Sequence, residues 1–149
     1  MIAIDGFDHI GIRITERSRA LEFYATLGFQ VALEVDFDAV IVLKNKSGIE
    51  LNLIVNGVSH QDSKNILMDV PEKHPGITHV AFAVSDIQAC IDHLKKNQIK
   101  ITQGPVSFGD GHVSIFFRDP DKNTIELRSR LNDAEDQGIE GLSFYDPKA

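Results

Sequence analysis

The chain has 149 residues, 42% of them hydrophobic, which is enough apolar material for one ordinary domain or for two small modules sharing a core. A formal charge of −7, with Lys and Arg scattered along the chain, excludes a surface that tracks nucleic-acid phosphates, which needs clustered cations. Cys90 is the single cysteine, so no intrachain disulfide is possible; no apolar run approaches the roughly 18 residues of a membrane span, no export signal is read, and a reducing cytoplasm is the expected location.

The first element, "GFDHIGIRIT" (6–15), alternates Ile10, Ile12 and Ile14 with His9, Gly11 and Arg13, the period-2 pattern of a strand. A helix follows, with Thr15 as the expected N-cap, an apolar face of Ala20, Leu21, Phe23, Tyr24 and Leu27, and Gly28 where a terminating glycine belongs. Three β-rich stretches come next: "FQVALEV" (29–35), "AVIVLKN" (39–45) and "GIELNLI" (48–54). Residues 57–76 read as a linker.

The order then repeats. "GITHVAFAVS" (76–85) matches residues 6–15 at an offset of 70, placing His79 over His9 and alternating Val80, Phe82 and Val84 with His79, Ala81 and Ala83. Ser85 and Gln88 suggest a capping box, Ile87, Ile91 and Leu94 a helix face, and Asn97 its end. The strands "IKITQGP" (99–105), "HVSIFF" (112–117) and "NTIELRS" (123–129) complete the copy. "GIEL" (48–51) matches "TIEL" (124–127) at an offset of 76, which implies six residues gained near "SFGDGH" (107–112). The acidic tail from Leu131 lies outside the repeat.

The fold expected is therefore α+β: two tandem βαβββ modules, residues 5–56 and 77–130, whose strands form a curved mixed sheet around a metal-containing cavity, followed by the tail 131–149. If the large apolar rows face the helices, His9, Glu50, His79 and Glu126 all face the concave side. Carboxylates on a sheet face are costly unless paired or metal-bound. Two imidazoles and two carboxylates would suit one divalent first-row ion, Ni, Co, Zn, Mn or Fe, and leave positions for two adjacent substrate oxygens. Asn52, His112 and Ser114 lie on strands near this face as candidates to orient substrate. Phe108 and the "FGDGH" loop suggest a lid. His60, His74 and His93 read as surface residues, and Cys90 as a small apolar residue of the helix.

"DHIGI", "LEFYATLGF", "GIELNLI", "THVAFAV" and "FFRDPDKNTIEL" resemble the vicinal oxygen chelate superfamily of glyoxalases, bleomycin-resistance proteins and extradiol dioxygenases, over about residues 5–130. The resemblance implies that each module contributes one ligand from its first strand and one from its last, at His9, Glu50, His79 and Glu126. Glu50 makes the chain more similar to glyoxalase I than to the dioxygenases, or to the epimerases, which tend to carry an amide there. It implies a lyase or isomerase that moves a proton beside a carbonyl through a metal-stabilised enediolate, with Glu126 as principal base and Glu50 as the second carboxylate. The other chemistries of the scaffold are epimerisation, extradiol oxygenation, thiol transfer to an antibiotic, and binding without catalysis. Arg13, four residues after His9, matches the glyoxalase I arginine that holds the thiol's carboxylate, whereas Ile54 stands where that enzyme has its partner Asn. A small-molecule substrate and a homodimer are also implied, with neither nucleic acid nor membrane as partner.

Overall fold

The structure is a computed structural model that describes residues 1–34, 39–59, 64–131 and 138–148. The chain divides into two compact units, Met1–Ser63 and Lys64–Ala149. His60, part of the "DFDA" turn and residues 132–137 of the tail lie outside the described residues.

The first unit contains β1 (His9–Arg13), α1 (Arg17–Thr26), β2 (Gln30–Glu34), β3 (Val40–Lys44) and β4 (Glu50–Ile54). Its sheet runs β1-β4-β3-β2, with β1 parallel to β4 and the remaining pairs antiparallel. The row Ile12, Leu53, Ile41, Leu51 and Leu43 is buried together with Ala20 and Tyr24 of α1, as the alternation requires. α1 starts one residue later than the sequence suggests. Glu16, rather than Thr15, is the N-cap, its carboxylate accepting the backbone N–H groups of Ser18 (2.9 Å) and Arg19 (2.7 Å). These two hydrogen bonds, Arg19's the larger, hold the Glu16 carboxyl below its ordinary pKa. Thr15 instead accepts from the Arg19 guanidinium.

The second unit contains β5 (His79–Ala83), α2 (Ile87–Lys96), β6 (Ile101–Ser107), β7 (His112–Arg118), β8 (Thr124–Arg130) and β9 (Ser143–Phe144). Its sheet runs β5-β8-β7-β6-β9, again with a parallel first pair. Ile87, Ile91 and Leu94 are buried with Val113, Ile115, Phe117, Ile125 and Leu127. The N-cap of α2 is Asp86, which accepts from Ala89 N–H at 2.9 Å, while Gln88 donates to Asp92 instead of closing a capping box. The tail adds β9 in parallel to the edge of β6. Residues 64–76, read as linker, belong to this unit, where Asp69 pairs with Arg118 at 2.8 Å.

The last strands of the two units do not correspond in the way the matched "IEL" triplets suggest. Gly11 pairs with Asn52, and Ile14 N–H donates to Ile54 O. In the second unit Ala81 pairs with Glu126, and Val84 N–H donates to Arg128 O. The antiparallel neighbours agree, Val42 opposite Asn52 and Phe116 opposite Glu126. Asn52 therefore occupies the place of Glu126, at an offset of 74, and Glu50 that of Thr124. Because side chains repeat every two residues, a shift of two keeps every residue on its face, and pattern matching does not detect it.

Candidate metal centre

Each histidine opens the first strand of its unit on the face away from the buried row, and both are held in the same way. His9 Nδ1 lies 2.5 Å from Oδ1 of Asp8, and His79 Nδ1 lies 2.8 Å from Oγ1 of Thr78. In both units the residue just before the histidine engages Nδ1. A partner on Nδ1 fixes ring orientation and tautomer and leaves Nε2 as the free ligand atom.

In the second unit, the free Nε2 of His79 lies 3.0 Å from Oε2 of Glu126. Glu126 is buried (6% exposed), and its other oxygen, Oε1, accepts a 2.5 Å hydrogen bond from the Ser114 hydroxyl. The Phe116 ring stands edge-on to His79, with ring centres 5.8 Å apart, and Phe116 is paired with Glu126 in the strand register. Two ligand atoms each about 2.1 Å from one ion, at near right angles, stand about 3 Å apart. The observed His79–Glu126 separation is that distance, so the pair fits two adjacent ligands of one divalent ion.

In the first unit His9 and Glu50 are directly paired across β1 and β4. Among the described residues, Asp8, His9 and Glu50 offer ligand atoms that all lie within 4.8 Å of one another. Glu50 also forms an ion pair with Lys44, Nζ to Oε2 at 3.2 Å. Asn52 is two residues further along the same face, and its Oδ1 is buried with no hydrogen-bond partner among the described residues. A buried carbonyl oxygen left unpaired is costly, and a cation would satisfy it. The chain thus offers two donors on β4, one carboxylate and one amide.

Among the weaker candidates, Arg13 donates from Nε to Oδ1 of Asn56 at 3.0 Å, so an Arg–Asn pair forms although Ile54 occupies the position expected for the Asn. His112 lies on β7 paired with Arg130, and its ring hydrogen-bonds the backbone carbonyl of Asp110. Phe108 stands beside Phe116 and Tyr145. Burial, with Asp86 nearby, pushes the Cys90 thiol up, as expected for an unreactive helix residue. His74 and His93 are exposed. Sequence reasoning missed Asp8 and Thr78 as imidazole anchors, although each stands immediately before its histidine. It also missed Arg128 and Asp110, whose contact joins positions 18 residues apart.

Residues 6–127 match the family model of the glyoxalase/bleomycin resistance protein/dioxygenase superfamily. The chain belongs to this superfamily. Its curated relatives there include the metallothiol transferase FosB of Staphylococcus haemolyticus, 30% identical over 145 residues, covering 95% of this chain and 91% of that protein. Glyoxalase domain-containing protein RDO1 of Mycosarcoma maydis is 29% identical over 133 residues, covering 86% and 70%. A glyoxalase family protein of known structure from Enterococcus faecalis is 26% identical, with a TM-score of 0.68, covering 84% of this chain and 98% of its own. No helix of the superfamily member described here is long and apolar enough to cross a membrane among the described residues.

Proposed function

We propose that this protein is a divalent-metal-dependent enzyme that moves a proton beside a carbonyl of a small substrate with two adjacent oxygens, the lyase or isomerase chemistry of glyoxalase-like members. The observation that carries the reading is the shared treatment of the two histidines, each anchored through Nδ1, with Glu126 at the free Nε2 of His79. His9, His79 and Glu126 would hold one ion per chain, with the fourth place filled from β4. The bound ion would polarise the substrate oxygens and acidify the neighbouring C–H.

The chain's own groups prepare the proton transfer. Ser114 holds Oε1 of Glu126, so Oε2, the oxygen beside His79 that would also face the ion, is the one that would take the proton and return it to the adjacent carbon. Phe116 stands edge-on to His79 and opposite Glu126 in the register, an apolar flank to the pair. Thr78 and Asp8 keep the imidazoles oriented without entering the reaction. A homodimer is the assembly that accompanies this reading.

The fourth place separates two chemistries. Glu50 faces His9 and would supply the second carboxylate of a glyoxalase I-type proton shuttle. The strand register favours Asn52, a neutral donor, which leaves Glu126 as the single carboxylate. One carboxylate suits a second reading, transfer of a thiol to a small electrophile, and FosB, called a metallothiol transferase, is a relative. Solvent deuterium exchange at the carbon beside the carbonyl distinguishes the two. Exchange into methylglyoxal–thiol adducts that disappears in Glu126→Gln supports proton transfer. Metal-dependent opening of a small epoxide by the thiol, with a C–S bond formed as the ring C–O bond breaks and the alkoxide takes the thiol's proton, without exchange into the methylglyoxal adduct, replaces it with thiol transfer.

A further inference from the structure

The polar face of the second sheet continues past Glu126. Two residues along β8, Arg128 stands on the same face, paired with Ala83 of β5 and Ser114 of β7. Beside it opens a pocket of about 480 Å³. Ala81 and Ala83 leave room there, and Arg128, Arg130 and His112 line it. Small residues on a strand face create space, and here the three cationic or N–H-bearing side chains share the lining with Phe82, Val84, Ser85 and Ser129.

Among the described residues Arg128 uses one donor, Nη2, on Oδ2 of Asp110. A guanidinium carries five N–H donors in a planar fork, so its capacity for a two-pronged oxyanion contact is largely unused. Asp110 also accepts the His112 backbone N–H at 3.2 Å. It stands between Gly109 and Gly111, both with positive φ (82° and 75°), and each of these glycines has open space where a side chain would be. Its side chain is 45% exposed, so releasing it into water costs little desolvation.

We propose that this pocket is an oxyanion subsite in which Arg128, helped by His112 and Arg130, binds a carboxylate, phosphate or phosphonate group of the substrate. Asp110 is a place-holder that keeps the guanidinium aimed when the subsite is empty. The inference rests on the metal-enzyme reading for its meaning, since it makes the substrate an anion whose vicinal oxygens lie at the Glu126 end. Two residues along a strand span roughly 6.6 Å, so a short carbon chain would separate the two ends. Anion recognition by a forked guanidinium is directional and discriminates against neutral analogues.

The test uses the full chain stripped of metal with chelator and titrated with inorganic phosphate, followed by amide resonances. Saturable shifts centred on Ala81, Ala83, His112 and Arg128 are expected, with at least a tenfold weaker response in Arg128→Gln. Asp110→Asn, which removes the competing carboxylate, is expected to bind phosphate at least as tightly as wild type. Arg128→Gln that binds like wild type, shifts located elsewhere, or Asp110→Asn that binds more weakly would each overturn the subsite. Because no metal is present, failure here leaves the metal reading intact, and failure of metal uptake leaves the phosphate result standing.

Discussion

Oε2 of Glu126 and Nε2 of His79 lie 3.0 Å apart, and each group is held from behind, Glu126 by Ser114 and His79 by Thr78. Hydrogen bonds behind metal ligands fix orientation and raise affinity. The pair, on β5 and β8, is thus held in place by neighbouring side chains on β7 and just before β5.

Ser114→Ala removes the hydroxyl that positions Oε1. Ser114 is buried (2% exposed), so water does not replace it readily. Metal affinity is expected to fall about 10- to 100-fold, while Glu126 itself remains. Isothermal titration with zinc or nickel measures the loss, and an unchanged affinity would show that Ser114 does not orient the ligand.

On β4, Asn52→Ala is expected to weaken metal binding by roughly tenfold or more, equivalent to about 1.4 kcal/mol. Glu50→Gln, which removes a carboxylate already paired with Lys44, is expected to change it less than about twofold. The reverse pattern in the same titration would restore Glu50 as the fourth ligand, and with it a two-carboxylate site.

Most of the architecture was legible because burial follows the alternation of apolar residues. Ile12 with Ile14, Leu51 with Leu53, and Ile125 with Leu127 are buried as their rows require, and Gly28 (φ 90°) and Asn97 end their helices as read. The repeated histidine was the strongest signal of function, since one residue type recurred at one module position. What escaped was what pairing, rather than pattern, decides. The two-residue shift that brings Asn52 to the place of Glu126 keeps every face unchanged, and Arg128 meets Asp110 only through the loop preceding β7. The helix starts moved because the longer Glu16 and the adjacent Asp86 reach the free N–H groups better than Thr15 and Ser85 do.

Gly104→Ala tests how the sheet supports this site. Gly104 has φ 95°, and an added Cβ would collide with the backbone carbonyl of Ser114. A side chain in the left-handed region costs about 1–3 kcal/mol, and relief of the collision would displace Ser114, whose hydroxyl holds Glu126. A lower Tm together with weaker metal binding is expected; a Tm equal to wild type would show that β6 accommodates the methyl group.

Glu16 gives a pH-dependent outcome. Its folded pKa is depressed by the Arg19 and Ser18 N–H groups, so its charged form contributes stability that is present above the unfolded pKa and is lost as pH falls through the folded one. Thermal melts of Glu16→Gln are expected to show a lower Tm than wild type at pH 7. The gap should close as the pH falls below the ordinary value of 4.5. A gap constant from pH 7 to pH 3 would mean that charge contributes nothing to this cap.

The central proposal, that the chain binds a divalent ion through His9 and His79, is tested most directly by metal content per chain. Protein purified without chelator would be measured as wild type, His9→Ala and His79→Ala. The expected result is about one ion per chain in wild type and loss of that ion in both variants. No ion in wild type, and none taken up when nickel, zinc or manganese is added, would contradict the claim, as would retention of the ion in either variant.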